Sequence, residues 1–460
     1  MRNYLLIIIL GLALSILLGA GVVKMGWFFG SIVLLTALSP ILVRFPTISI
    51  YFFALGSFFN GLNVKLPFFV FGLGDLSSLM LIGVWVARRV FVADPFHLPK
   101  GFVWLLGYIS LVLLSLVNGI DTTPSFGGYI RLLSRVVALF AFVDLVRSER
   151  VLIGCLYCVS GSGLIHAIVA FSLDSTGEGR LSGLIDQPNE LGAYLALGLI
   201  PLVAHLQKKQ PILSRLLVLV GVGLLTTAVV LTGSRGIYAA IAAAFMWSSR
   251  NSVKRVILFG LVGVISVSTA SLYSQKQVNA IERRLQFRDS SVQKRTNVLK
   301  VSKELIFKYP LLGIGFGQVG QAYKSISVEE DRGRATHSFL IAVAAASGLP
   351  ALITILLFFW SQIRSIYQRI RRREFVSDAA SDADWLYHVV STIMLFHFVS
   401  LLVRGAQLYD WSVFTIYASA AALAAQASSE APQGDLEPSM ADGVESPTVD
   451  AGLSVSNKLV

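Results

Sequence analysis

The sequence predicts an all-α polytopic membrane protein of about 12–14 transmembrane helices with one long extracytoplasmic loop. Three observations predict it. Of 460 residues, 55% are hydrophobic and only 14% charged, with mean hydropathy +0.72. A soluble domain carries about 25% charged residues to cover its wetted surface. Apolar runs recur at the length of about 20 residues that a helix needs to cross a hydrocarbon core about 30 Å thick. The first is YLLIIILGLALSILLGAGVV, from Tyr4. Lastly, the runs are continuously apolar, whereas strands of a membrane barrel alternate. Together these exclude a soluble enzyme, a fibrous protein, a disulfide scaffold and an outer-membrane barrel.

In chain order, the apolar runs predict spans near 4–22, 26–43, 46–60, 67–87, 102–118, 129–146 and 151–173. Seven more follow near 187–206, 212–231, 235–249, 254–273, 338–361, 385–403 and 407–425. The first run resembles a signal peptide, but so many later spans favour an uncleaved helix. Short basic loops stay in the cytoplasm. Arg88–Arg89 through Lys100, Arg147–Arg150, Lys208–Lys209, Arg250–Arg255 and Arg364–Arg373 all fall on one side when every span is counted. The N-terminus is then cytoplasmic.

Four regions follow. Residues 1–273 are N-terminal transmembrane helices, 274–336 a large outer loop, 337–425 C-terminal transmembrane helices, and 426–460 a disordered acidic cytoplasmic tail. The tail carries Glu430, Asp435, Glu437, Asp442, Glu445 and Asp450 against Lys458 among Ser, Pro, Ala and Gly, with little to bury. The whole chain is nonetheless +12, which suits a membrane surface or an anionic substrate. In the outer loop, Val298, Val301, Leu305 and Ile306 recur at helical spacing, so a folded lid on the membrane surface is expected. No internal repeat is visible, which weighs against an inverted-repeat transporter.

The predicted outer face collects arginines against the positive-inside trend. Arg180 stands in GRLSGLIDQPNELGAYL and Arg235 in LTGSRG, while Arg131 and Arg135 share a helix face at i and i+4. An arginine in the apolar layer is costly, about 2.5–3.5 kcal/mol on insertion scales. Its planar fork matches phosphate oxygens two at a time. Phosphate binding is one reading of the four; snorkelling, or pairing with Asp186 or Glu190, is the other. His337, at the mouth of the span after the loop, is either a proton acceptor or an interfacial hydrogen-bonding histidine.

The remaining motifs read plainly. Gly315 begins a literal G-x-G-x-x-G, but without a βαβ context it predicts a tight turn after Pro310 rather than a dinucleotide site. Cys155 and Cys158 share a helix face within an apolar run and predict no redox motif. Asp75 is an intramembrane carboxylate that needs a neighbouring helix to bond with, and a proton relay is its other reading. No His/Cys/carboxylate set has metal-ligand spacing, so no metal and no cofactor is expected.

The order GRLSGLIDQPNELGAYL, LTGSRG, RTNVLKVSKELIFKYPLLGIGFGQVGQAY, ATHSFLIAVAAASGLP resembles the O-antigen ligase/polymerase superfamily over roughly residues 176–360. The resemblance implies a membrane fold of the glycosyltransferase C type in the bacterial inner membrane. It implies metal-independent, inverting transfer or polymerisation of a glycan on the outer face. The donor would be an undecaprenyl-diphosphate-linked glycan, the acceptor a glycan or lipid, with no nucleic acid involved. Carried over by motif, Arg180 and Arg235 would hold the diphosphate and His337 would be the base. Ser338 follows the histidine where the family often has Asn. A surface or exopolysaccharide polymerase is the nearest alternative, and a lipid-linked oligosaccharide flippase the alternative of another class.

Overall fold

The computed structural model describes residues 37–59 (39 excepted), 63–65, 70–91, 101–119, 122–173, 180–249 (186 excepted), 291–326, 338–374 and 382–403, with isolated positions between 257 and 268. The expected spans 4–22 and 407–425, the residues Asp186 and His337, and the acidic tail lie outside these residues.

Twelve helices are described: α1 (Pro46–Gly56), α2 (Leu73–Phe91), α3 (Phe102–Ser115), α4 (Thr122–Leu145), α5 (Glu149–Leu173), α6 (Pro188–His205), α7 (Ile212–Leu231), α8 (Arg235–Ser249), α9 (Ser291–Lys308), α10 (Val319–Ile326), α11 (Phe339–Glu374) and α12 (Asp382–Val403). Among the described residues five stretches are long and apolar enough to cross a membrane: Ser125–Leu145, Glu149–Leu173, Ile212–Leu231, Phe339–Gln368 and Trp385–Leu402. Pro46–Gly56 and Phe102–Asn118 are shorter apolar helices. The chain is a polytopic membrane protein with a helical architecture.

Two helix starts differ from expectation for local reasons. Within the apolar run from 67, Val70–Gly72 is a strand (β2) paired antiparallel with Asn63–Lys65 (β1), and α2 starts only at Leu73. Aromatic and β-branched residues suit a pleated pair, and hydropathy alone cannot separate that from a helix. Helix α4 starts at Thr122 rather than near 129, because a proline in the first turn leaves an N–H missing that would be unpaired anyway.

Helix α6 is the hub. Every residue from Leu191 to Val203 is buried, as befits a helix apolar all round. It packs along α5, α7, α12 and α8. Small residues allow its close approach to α5: a Cβ on Gly198 would stand 3.3 Å from the Cα atoms of Gly163 and Ser160. The Ser160 hydroxyl donates to the Gly198 carbonyl at 2.8 Å.

Cross-links between helices report their relative directions. Asp75 faces Arg135 and the Trp85 indole donates to Asp144, so α2 and α4 run parallel. Gly154 lies against Tyr51 and His166 against the Phe58 carbonyl, so α1 and α5 run parallel. Gly101 meets Ser361 and Gly107 meets Thr354, so α3 and α11 run antiparallel. All three relations match the directions obtained when every predicted span is counted, the short one at 46–60 included.

Candidate functional site

The site is built where the α5–α6 connection meets the α7–α8 turn. Arg180 Nε donates to the Thr232 carbonyl at 2.7 Å, and its Nη2 donates to Asn189 Oδ1 at 2.8 Å. One residue on, the Leu181 N–H donates to the Leu231 carbonyl at 3.1 Å. Arg180 is therefore tied to the end of α7 and to the first turn of α6. Pro188 opens α6, where its fixed φ suits the first helical position. Gly192 is needed two residues beyond Glu190: a Cβ there would stand 2.9 Å from Thr232 Oγ1.

Arg235 is the first residue of α8, half-buried, three positions after the carbonyl that holds Arg180. The tight turn Thr232–Ser234 between them is buried. The Tyr238 hydroxyl, one turn into α8, donates back to the Val230 carbonyl and fixes the start of that helix to α7. Two arginines 55 positions apart in sequence thus belong to one corner of the fold. A helix N-terminus also presents partly positive N–H groups there.

The other arginine pair is placed differently. Arg135 is buried at 7% side-chain exposure and faces Asp75 of α2, Nη2 to Oδ1 3.6 Å, with Asp75 at 21%. The second Asp75 oxygen accepts the Gly72 N–H at 2.9 Å. The intramembrane carboxylate thus has its neighbouring-helix partner. Arg131 lies one turn earlier on α4 and is half-buried.

The long loop makes a junction with α11 that the sequence shows only as two motifs. Gly348 stands inside α11 at φ 87°, ψ 169°, a region open essentially to glycine, and Pro350 follows with no N–H. The break releases two helix carbonyls, and the loop takes them. The Ile314 N–H donates to the Ala345 carbonyl and the Gly315 N–H to the Ala346 carbonyl, each at 3.0 Å. The Leu349 N–H in turn donates to the Pro310 carbonyl at 2.8 Å. Gly313, at φ 66°, lies so close that a Cβ would overlap the Ala346 carbonyl.

Side chains finish the junction. The Asn118 amide donates to the Gly313 carbonyl at 3.0 Å, and the Gln318 amide to Ser125 Oγ. The turn from Gly313 is thereby pinned between the end of α3, the start of α4 and the middle of α11. Ser338 is described, half-buried at the start of α11, and its carbonyl accepts the Ala342 N–H at 3.0 Å. The junction therefore lies two to three turns along the helix that follows His337.

Asn118, Ser125, Asn189, Thr232 and Gln318 are the residues that sequence reasoning missed. The available signal was weak: each is a single neutral polar residue at a helix end. Cys155 is buried and Cys158 half-buried on α5, both free thiols, which leaves the C-x-x-C spacing without a disulfide. Among the described residues no three His, Cys, Asp or Glu gather as metal ligands.

Residues 192–356, from the buried hub α6 through the α7–α8 turn and the loop to the Gly348 break, match the family model described as O-antigen ligase. That stretch is similar to an O-antigen ligase domain, in line with the ligase/polymerase superfamily. No curated protein matches the chain. The matched stretch contains Arg235, His337 and both sides of the loop junction, and it begins 12 residues after Arg180. A glycosyltransferase-like ligase or polymerase of this kind acts on lipid-linked glycans in a membrane.

Proposed function

We propose that the protein transfers a glycan from an undecaprenyl-diphosphate donor to a glycan or lipid acceptor on the outer face of the bacterial inner membrane, without a metal and with inversion. The observation that carries this reading is the tie from Arg180 to Thr232, which draws it to the turn that precedes Arg235. Cleaving a sugar from a lipid diphosphate builds negative charge on the departing oxygen. Fixed guanidinium groups, oriented before the reaction, stabilise such charge without reorganising. Arg180 has two of its N–H groups committed to neutral oxygens, which orient its fork.

In the proposed step the acceptor hydroxyl gives its proton to the His337 imidazole, acting as general base. The acceptor oxygen bonds to the anomeric carbon on the face opposite the diphosphate. The carbon–oxygen bond to the diphosphate breaks, and its electron pair leaves with that oxygen. Arg131 is the candidate for a further phosphate contact, whereas Arg135 is directed at Asp75.

Transfer from a purified lipid-diphosphate donor, with donor binding measured separately, tests this. Arg180→Ala or Arg235→Ala should remove roughly 2–4 kcal/mol of transition-state stabilisation, as loss of one oxyanion donor does. His337→Ala should leave donor binding intact and slow transfer by about 10²–10⁴-fold. Wild-type transfer by His337→Ala across the pH range would remove the base and return the histidine to an interfacial role.

A further inference from the structure

We propose that α9 lies on the outer leaflet and recognises the phosphate headgroups of anionic phospholipid. The inference rests on the outer placement of residues 274–336 and on nothing else in the proposed reaction. The helix SVQKRTNVLKVSKELIFK carries Lys294, Arg295, Lys300, Lys303 and Lys308 against Glu304 alone. Its inner side is settled: Val298, Ser302 and Leu305 are buried, and the helix packs on α11.

The outward side mixes charge with grease. Leu299, Lys303 and Phe307 fall one turn apart; Leu299 is 49% and Phe307 74% exposed, and Leu311 just beyond the helix is 70% exposed. Lys303 Nζ stands 5.9 Å from the Phe307 ring centroid, and Lys308 Nζ 5.4 Å from that of Tyr309. Lysines alone would attract any anion. A soluble anion, however, gains nothing from leucine and phenylalanine beside them. A bilayer surface takes both: apolar side chains sink about 5–10 Å into the headgroup boundary, and lysines snorkel to phosphate oxygens. A basic cluster on the predicted outer side also runs against the positive-inside trend, so orientation does not account for it.

The test uses the full chain, with Cys155 and Cys158 replaced by serine, in bilayer nanodiscs. An environment-sensitive dye is placed at Phe307→Cys or, on the flank of the helix, at Glu304→Cys. Quenching is read with brominated phosphatidylglycerol or brominated phosphatidylcholine at equal mole fraction. Expected are quenching at 307 well above that at 304 and a several-fold preference for the anionic lipid. One engaged surface lysine contributes roughly a fivefold factor to such a preference. The variant K300Q/K303Q/K308Q should keep quenching by phosphatidylcholine and lose the preference.

Equal quenching at the two positions would overturn the surface placement. A preference of one, or a preference that survives the triple substitution, would overturn the lysine–phosphate recognition. Loss of the preference on adding a trace of undecaprenyl diphosphate would assign the surface to the donor and overturn the phospholipid assignment. No turnover is measured, so an inactive transferase and an undocked helix give different results.

Discussion

Gly348→Ala is the most demanding perturbation of the loop junction. At φ 87°, ψ 169° any other residue pays about 1–3 kcal/mol. The added Cβ would also overlap the Leu311 carbonyl, so the turn from Pro310 has to withdraw. Three backbone hydrogen bonds go with it, from Ile314, Gly315 and Leu349, each worth about 0.5–1.5 kcal/mol net. The whole change is about 3–7 kcal/mol. Gly317→Ala is the matched control. Its φ is 78°, but nothing lies within 4 Å of an added Cβ, so it pays only the left-handed backbone cost of about 1–2 kcal/mol. Amide hydrogen exchange by mass spectrometry, on peptides covering 310–318 and 339–350, reads the outcome. Gly348→Ala should speed exchange at Ile314 and Gly315 at least about a hundredfold, since each 1.4 kcal/mol is tenfold. Gly317→Ala should leave both amides protected. Unchanged protection in Gly348→Ala, or equal loss in Gly317→Ala, would refute the junction.

Three further outcomes are expected. A cysteine at Ser290 should react with an impermeant thiol reagent in spheroplasts; reaction only after lysis would reverse the topology and with it the proposed mechanism. Transfer should persist in EDTA, and full loss restored by Mg²⁺ or Mn²⁺ would contradict the role given to the arginines. Lysine keeps a charge but not a planar fork. Arg135→Lys can still face the Asp75 carboxylate and should retain most transfer, whereas Arg180→Lys cannot reproduce the Thr232 and Asn189 contacts together and should impair it. Equal loss in both would show that Arg135 does more than pair with Asp75.

Much of the helix layout was legible because a span needs only length and apolarity. The run at 235–249 is α8, the run at 212–231 is α7, and 151–173 differs from α5 by a single residue pair. Hydropathy failed where it carries no shape. It gave one span at 338–361, whereas α11 runs from Phe339 to Glu374 and breaks at Gly348. The basic stretch beyond 361 is polar enough to leave the apolar layer yet continues as helix. Arg and Gln are good helix formers, so the helix can continue outside the apolar layer.

The site was legible in part, for an electrostatic reason. A buried arginine is conspicuous in sequence because its cost is high, but the partner that meets the cost is not. Arg135 meets part of it with Asp75, 60 positions earlier, and Arg180 with the Thr232 carbonyl, 52 positions later. Neither spacing has a helical period. The loop junction is the same case in backbone form. GIGFG and ASGLP read separately as a tight turn and a helix end, and their order along the chain is all the sequence offers. In the fold they are donor and acceptor of the same bonds. The proline that deprives α11 of an N–H and the glycine that turns Leu349 away from Ala345 create the two carbonyl vacancies that Ile314 and Gly315 fill. Either motif alone would leave buried backbone groups unpaired, so neither is stable without the other. Their joint presence fixes where the long loop rejoins the helix that begins beside His337.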